Sequence, residues 1–588
     1  MEFIKPALPT LDYQQWRTQP RMARIKPMVQ HWGTAGFGTP EGVYLLYIVK
    51  LVGYVAGAVF FATLTPGLGS FWSVASWWGE PVVYQKLVLW TLLFEVVGLG
   101  CGFGPLTLRF LPPLGAFLHW LRPGTIRLPP WPGKVPLTRG SRRTVVDVLL
   151  YAGVLAAAVW ALLAPATRAS GGTGALGLIE PVRVVPLLIL LPLIGLRDKT
   201  IFLAARSEVY LTATAAFLLP AVDMIVAAKL IMLLIWWGAA TSKLNRHFPY
   251  VVQVMMSNTP VWRSTWLKRK LHRSYPDDMR PSGLSAFLAR AATVVEYLVP
   301  LTMFVARGGA VTIVAASIMV AFHLNILLSI PLAVPLEWNV YMMFGIAILF
   351  VHDARYGLAD LTQPLPVALI VGALVAGIVV GNLAPRRVSF LIGMRYYAGN
   401  WDTSLWCLKP SAIAKLERSV RKAASLPRAQ LARLYGEHVA DVLGHKAYAF
   451  RAMHTHGRAL FALVPRACGP DHETDYIPTD GELVAGATVG WNFGDGHLHD
   501  DQLIQALHER CRFGEGEVRV IILDGQPIHR QRQDYRLVDA ASGEFERGSV
   551  HVLDMVQRQP WDDSTMPAHV EAVRPAPSAK RDKGAKLA

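Results

Sequence analysis

Long apolar runs separated by short polar stretches dominate the first two thirds of the chain. Runs near 42–65, 83–104, 144–166, 181–196, 284–305, 309–332, 337–352 and 365–384 approach the length of a helix that crosses the hydrocarbon of a bilayer. A longer block over 207–240 is interrupted at Pro220 and carries Asp223 and Lys229, which predicts a pair of short or broken helices. The expected architecture over 41–390 is a mainly α, multi-pass transmembrane helix bundle of about eight to ten helices. From 391 the pattern changes. "KPSAIAKLERSVRKAASLPRAQLARLYG" predicts an amphipathic helix and the start of a second, while "VRVIILDG" and "SVHVLDMVQ" predict strands. A small soluble α+β domain is therefore expected over 391–565, followed by a disordered basic tail over 566–588.

The start of the chain has neither an apolar signal core nor a small-residue cleavage site. Lys5, Arg17, Arg21, Arg24 and Lys26 make 1–40 a basic arm expected to lie at the membrane interface. Composition supports the membrane reading: of 588 residues 53% are hydrophobic and 17% charged, against roughly 25% charged in an average protein. In a soluble protein the net charge of +17 would suggest nucleic acid. Here no nucleic-acid partner is expected, because the basic residues gather in loops that meet anionic membrane lipid. One such loop carries Arg122, Arg127, Lys134, Arg139 and Arg142, and another carries Arg246, Arg263, Lys268, Arg269, Lys270, Arg273 and Arg280. The segment "TPGLGSFWSVASWWGE" has no lysine or arginine and several tryptophans. This asymmetry places the amino terminus, both basic loops and the carboxyl-terminal domain in the cytoplasm, and the protein in the cell's inner (plasma) membrane.

Ionisable residues inside spans are costly and mark candidate sites. They are Glu95, Glu208, Asp223, Lys229, Glu296, His323 and Glu337, with Asp198, Lys199 and Lys243 at helix ends. In "IMVAFHLNILLSIPLAVPLEWNVYMM", His323 and Asn325 precede a break at Pro331 and Pro335, and Glu337, Trp338 and Asn339 open the next helix. In "LRDKTIFLAARSEVYL", Asp198 is suited to cap a helix in which Lys199 follows. Lys243 ends an apolar helix, where it either snorkels to water or serves as a base kept dry. A carboxylate beside it, Glu208 or Glu296, favours its charged form and an ion pair. In the soluble part, His497, His499, Asp500, His508 and Cys511 are metal-competent types, but a Gly-rich turn followed by a helix capped at Asp500 or Asp501 explains them without a metal, and none is assigned. Cys101, Cys407, Cys468 and Cys511 form no CxxC pair. No nucleotide loop, GxSxG elbow or HExxH is present.

Taken in order, "DKT" at 198–200, "SEVYL" at 207–211, "SKL" at 242–244, "VVEYLVP" around Glu296 and "FHLN" at 322–325 resemble the vitamin K-dependent γ-carboxylase family and the wider HTTM group that shares its transmembrane domain. The likeness covers about 195–350, and the whole chain resembles a family of large bacterial membrane proteins. The resemblance implies an enzyme acting on a hydrophobic molecule (a quinol, isoprenoid or other lipid), with Lys243 as base, His323 and Glu208 as partners, and a reduced quinone as co-substrate. Substrate contacts are expected from Asn325, Glu296 and Lys199 of these motifs and from Glu337 and Trp338 of the helix after the break. Where the family has histidine, this chain has Glu208. A lipid or small-molecule carrier, or a scaffold without catalysis, would use the same polar groups differently.

Overall fold

The computed structural model describes residues 2–101, 115–167, 176–329, 336–388, 398–491 and 496–573. Helix α1 spans Arg21–Ala35. The bundle follows as α2 (Glu41–Thr63), α3 (Pro81–Val96), α4 (Val145–Leu162), α5 (Pro181–Arg197), α6 (Ser207–Ala216) and α7 (Ala221–Ser242). It continues with α8 (Phe248–Asn258), α9 (Gly283–Ala306), α10 (Gly309–Ser329), α11 (Leu336–Gly345, extended by a π-helical turn over Ile346–His352) and α12 (Pro364–Leu383). Among the described residues six of these, α2, α4, α7, α9, α10 and α12, are long and apolar enough to cross a membrane by length and composition. The interrupted block resolves into a short helix and a full-length one, because Pro220 lacks the N–H that would continue α6 and instead stands just ahead of α7. The break expected at Pro331 and Pro335 lies outside the described residues.

The outer helices turn apolar side chains outward: Ile48, Val49 and Val52 on α2, Val294, Leu298 and Val305 on α9, and Leu365 and Leu369 on α12 are all exposed. Such a belt suits lipid and would aggregate in water. Helix α7 runs through the middle with most of its residues buried.

The carboxyl-terminal part is built on a six-stranded antiparallel sheet: β1 (Thr403–Leu408), β2 (Ile477–Asp480), β3 (Val518–Leu523), β4 (Arg532–Asp539), β5 (Gly543–His551) and β6 (Ala568–Val573). Its order is β6-β5-β4-β3-β1-β2. Two-residue alternation sends β1 and β3 side chains to opposite faces. Leu405, Cys407, Ile521 and Leu523 join one core with α13 (Glu437–Met453) and α14 (Thr455–Cys468), whereas Trp406, Leu408, Val520 and Ile522 join the core that continues into the bundle.

Two boundaries differ from expectation. The first forty residues do not form a separate interfacial arm. Trp16, Ile25, Met28, Val29 and Trp32 are buried in the same core as Phe450, Leu460 and Val464, and the Arg21 guanidinium donates to the His472 and Tyr476 carbonyls at 3.0 and 3.1 Å. Lys26 lies on the exposed side of α1, Arg21 is buried against the carboxyl-terminal part, and the apolar side of the helix faces protein. The ordered chain also runs past 565, since residues 568–573 pair with β5 as the edge strand. The rest of the tail, 574–588, lies outside the described residues.

Both basic loops pack against the carboxyl-terminal part at one end of the bundle. The Trp120 indole donates to the Val489 carbonyl at 2.8 Å, and the Arg280 guanidinium donates to the Gln557 carbonyl at 2.9 Å. The His247 ring, fully buried, bridges Thr455 Oγ1 at 2.5 Å and Gln526 Oε1 at 2.6 Å. At the opposite end, Asp223 accepts from the backbone N–H of Thr362 and Gln363, and Arg307 pairs with Asp360.

Candidate functional site

Helix α11 organises the buried polar groups, because three successive side chains in its first turn serve two neighbourhoods, one around Glu337 and Trp338 and one around Asn339. Glu337 faces Lys50 of α2, Trp338 lies on Arg206, and Asn339 meets His323 of α10. A carboxylate in the first turn also suits the positive end of the helix dipole.

The Glu337 side is a closed charge cluster. Lys50 Nζ is 3.1 Å from Glu337 Oε2, and both side chains are almost fully buried. The Cys101 thiol lies 3.3 Å from Glu337 Oε1 and 3.4 Å from Glu95 Oε1, and its backbone N–H donates to Glu95 Oε2 at 2.9 Å. The Arg206 guanidinium donates to Cys101 Sγ at 3.3 Å and stands 3.8 Å from Glu95 Oε1. Arg206 occupies the left-handed region, φ 47 and ψ 44, just before α6. This conformation is strained for a residue with a Cβ. Its guanidinium lies 4.2 Å from the Trp338 ring centre. The Tyr210 hydroxyl, fully buried beside this set, has no hydrogen-bond partner, and its ring packs on Trp338 and Tyr341.

Ligand atoms of Glu95, Cys101 and Glu337 lie within 4.8 Å of one another, a spacing a metal ion can use. Two cations already balance the two carboxylates, so a divalent ion would enter against Lys50 and Arg206. The set therefore fits a self-neutralised network better than a metal centre.

The Asn339 side fixes the state of His323. An indole N–H is a donor only, so His323 Nε2 accepts from Trp236 at 2.9 Å. The proton then resides on Nδ1 and is donated to Asn339 Oδ1 at 2.9 Å. Asn325 does not join this group. Two residues apart on a helix are about 200° apart around the axis, so with His323 buried Asn325 faces outward, beside Leu324.

Lys243, the C-cap of α7, donates to both Glu296 oxygens at 2.5 Å, with side chains 8% and 4% exposed. It also faces the Phe248 ring at 5.2 Å. Lys243 is near enough to act electrostatically on His323, but it bonds neither that ring nor Glu208. Glu208 is buried in the first turn of α6, within electrostatic reach of Arg206. Of the two carboxylates suggested for Lys243, the structure brings Glu296 to it.

Lys199 belongs to the contact with the carboxyl-terminal part: its Nζ is 3.8 Å from Asp500. Asp198 caps the next helix through the Thr200 N–H at 3.0 Å and pairs with Arg143 at 2.7 Å. The histidines of the carboxyl-terminal part have separate partners. His499 Nδ1 meets Ser404 Oγ at 2.6 Å, His497 Nε2 donates to the Arg386 carbonyl at 3.0 Å, and Asp500 caps the helix Asp501–Cys511.

The residues that sequence reasoning missed are Lys50, Arg206 and Trp236. Lys50 had a readable signal, a lone charge well inside the first apolar run. Arg206 sits two residues before Glu208 in a motif already singled out.

The family comparison agrees with the buried charges and the outward apolar belt. A family model described as a transmembrane protein of unknown function, DUF3556, matches residues 1–571. The chain belongs to that family. The match takes in the amino-terminal arm, the bundle and the sheet together, as one unit of sequence. No curated protein and no solved structure matches the chain.

Proposed function

We propose that this membrane protein is an enzyme acting on a hydrophobic substrate, a quinol, isoprenoid or other lipid, at the polar groups gathered around α7, α9 and α11. The observation that carries this reading is the Lys243–Glu296 pair, nearly dry and held between α7 and the lipid-facing α9. Buried pairs of this kind are weak stabilisers, so a functional role accounts for the cost of desolvating both ions. Proton transfer from Lys243 to Glu296 leaves an amine and a carboxylic acid without changing the net charge. The neutral amine is then a base toward an acidic hydroxyl such as that of a quinol. His323, with both ring nitrogens engaged by Asn339 and Trp236, acts as a positioning residue that ties α7, α10 and α11 together beside the pair. The likeness of the 195–350 motifs to the γ-carboxylase and HTTM group supports a reduced quinone as co-substrate. The clustering of basic loops with both terminal parts supports a cytoplasmic placement of that end of the bundle in the plasma membrane.

A second reading, a lipid-binding or carrier protein without chemistry, is favoured by the self-neutralised Glu95–Cys101–Arg206–Glu337 network. Native mass spectrometry and lipid extraction of the purified protein test the first reading. The expected result is a co-purifying quinone or isoprenoid that is lost in Lys243→Ala. An identical lipid profile in wild type and Lys243→Ala refutes it.

A further inference from the structure

The end of the bundle farthest from the soluble domain holds a second polar site that none of the chemistry above uses. The connection between α2 and α3 and the end of the π-helical turn enclose a cavity of about 290 Å³. Its wall carries Trp77, Trp78, Glu80, His352, Asp353 and Arg355.

Three features give this cavity a chemical preference. First, Asp353 is only 6% exposed, and its two carboxylate oxygens are not equivalent. Oδ1 accepts from His352 Nδ1 at 3.1 Å, whereas Oδ2 is buried without a hydrogen-bond partner. Leaving a buried carboxylate oxygen unpaired is costly, so the position calls for an N–H or O–H donor. Lys229 does not supply it. Its Nζ donates to the backbone carbonyls of Asp353, Ala354 and Tyr356 at 2.8, 3.4 and 2.6 Å, which fixes the main chain and leaves the carboxylate to the cavity.

Second, the wall combines carboxylates with indoles. Glu80 stands before the first turn of α3, and Trp77 and Trp78 flank it. Indole faces together with carboxylates attract an ammonium. The Trp78 and His352 rings lie edge to face, 5.4 Å between centres. The intervening residue has to be glycine, because a Cβ at Gly79 would come within 2.5–2.8 Å of the His352 ring atoms.

Third, the rim carries one exposed guanidinium. Arg355 stacks on Tyr356 at 4.7 Å and donates to its hydroxyl at 2.6 Å, which holds it at the mouth. Guanidinium groups are suited to phosphate.

An ammonium inside with a phosphate at the mouth is the pattern of phosphoethanolamine. We propose that this cavity binds the headgroup of an ethanolamine phospholipid, the ammonium donating to Asp353 Oδ2 and Glu80 and the phosphate held by Arg355. The volume suits a headgroup rather than a whole lipid, being at the low end of small-molecule sites, roughly 300–1,000 Å³. The surrounding tryptophans match the headgroup layer of a bilayer. The unpaired oxygen sets the selectivity. A choline headgroup has the charge but no N–H to donate, and a glycerol headgroup has no cation for the two carboxylates. This site is independent of the Lys243 reading and stands or falls separately.

The full chain, purified into nanodiscs of equal phosphatidylethanolamine, phosphatidylcholine and phosphatidylglycerol, provides the test by native mass spectrometry of retained lipid. Retained phosphatidylethanolamine is expected at about fivefold or more over the other two, falling to the bulk ratio in Asp353→Asn and in part in Glu80→Gln. Arg307→Gln, which breaks an exposed pair at the same end of the bundle, is expected to keep the enrichment. Should Asp353→Asn fail to fold, Trp78→Leu reads the same loss. Equal retention of the three lipids by wild type, or undiminished enrichment in the cavity variants, overturns the proposal. In lipid-free detergent, a rise in unfolding temperature with O-phosphoethanolamine identifies the free headgroup as sufficient. Enrichment in nanodiscs without that rise identifies the intact lipid as the ligand.

Discussion

Removing either partner of the Lys243–Glu296 pair is expected to have unequal effects, because the long lysine side chain at a helix end can reach for water and the glutamate in mid-helix cannot. Lys243 caps the end of α7, so a lysine left alone can move its ammonium toward the aqueous end of the bundle. Glu296 is 13 residues beyond Gly283, the first residue of α9, which is about 20 Å along the helix axis at 1.5 Å per residue. A glutamate left there has no such route and must take up a proton. From an ordinary pKa of about 4.3, protonation at pH 7 costs about 3.7 kcal/mol. Lys243→Met is therefore expected to destabilise by about 3–4 kcal/mol at pH 7, and Glu296→Gln by about 1–2 kcal/mol. The cost of Lys243→Met should fall by about 1.4 kcal/mol for each pH unit lowered toward 5, as protonation becomes cheaper. Lys243→Met with Glu296→Leu replaces the pair by apolar groups and should come within about 1 kcal/mol of wild type. The assay is reversible denaturation in mixed micelles, followed by tryptophan fluorescence at several pH values as a double-mutant cycle. A Lys243→Met penalty that ignores pH, or one no larger than that of Glu296→Gln, would refute the reasoning.

Three further predictions concern other parts of the molecule. Burial holds the His31, His272 and His454 rings at about 4, 4 and 3, with Lys446 adding to the effect at His31. Their unfolded value is about 6.5, so this part of the stability is intact above pH 6.5 and is lost as the pH falls toward 4, at about 2 kcal/mol for a fully buried ring at pH 5. Near-ultraviolet dichroism should register it through Trp401, whose ring lies 5.8 Å from that of His454. Trp32, fully buried with its indole donating to the Val254 carbonyl at 3.1 Å, anchors the amino-terminal segment. Trp32→Ala should cost about 3–5 kcal/mol and open the basic sites from Arg17 to Lys26 to trypsin, whereas unchanged resistance would contradict that anchoring. Asn339→Leu should free the His323 ring and change its NMR tautomer signature, and Asn325→Leu should leave it untouched.

The apolar runs made the bundle legible, because a spanning helix writes its length directly into the sequence. The capping role of Asp198 and the helix start at Asp500 were equally local and equally readable. Partner identity was not. The sequence presents Glu208 and Glu296 alike as carboxylates within apolar helices, and only the packing of α7 against α9 selects Glu296 for Lys243. That Asn325 stands apart from His323 was not legible, because a motif written in one dimension hides the 200° turn between them. The amino-terminal segment read as a membrane-surface arm because an amphipathic helix carries the same signature whether its apolar face meets lipid or protein. What decides between them is a core supplied by residues some 400 positions away, which no local pattern records.

That distant core has a consequence for biosynthesis. Trp32 leaves the ribosome early, but Phe450 and Leu460, which cover it, follow only after every apolar helix has been made. At roughly 5–20 residues per second the interval is about 20–80 s. Through that time the indole and its neighbours stay uncovered while the membrane machinery inserts one helix after another. The nascent segment thus needs a chaperone or the bilayer surface as a temporary shelter, and truncation anywhere before the final strands should send the product to proteolysis.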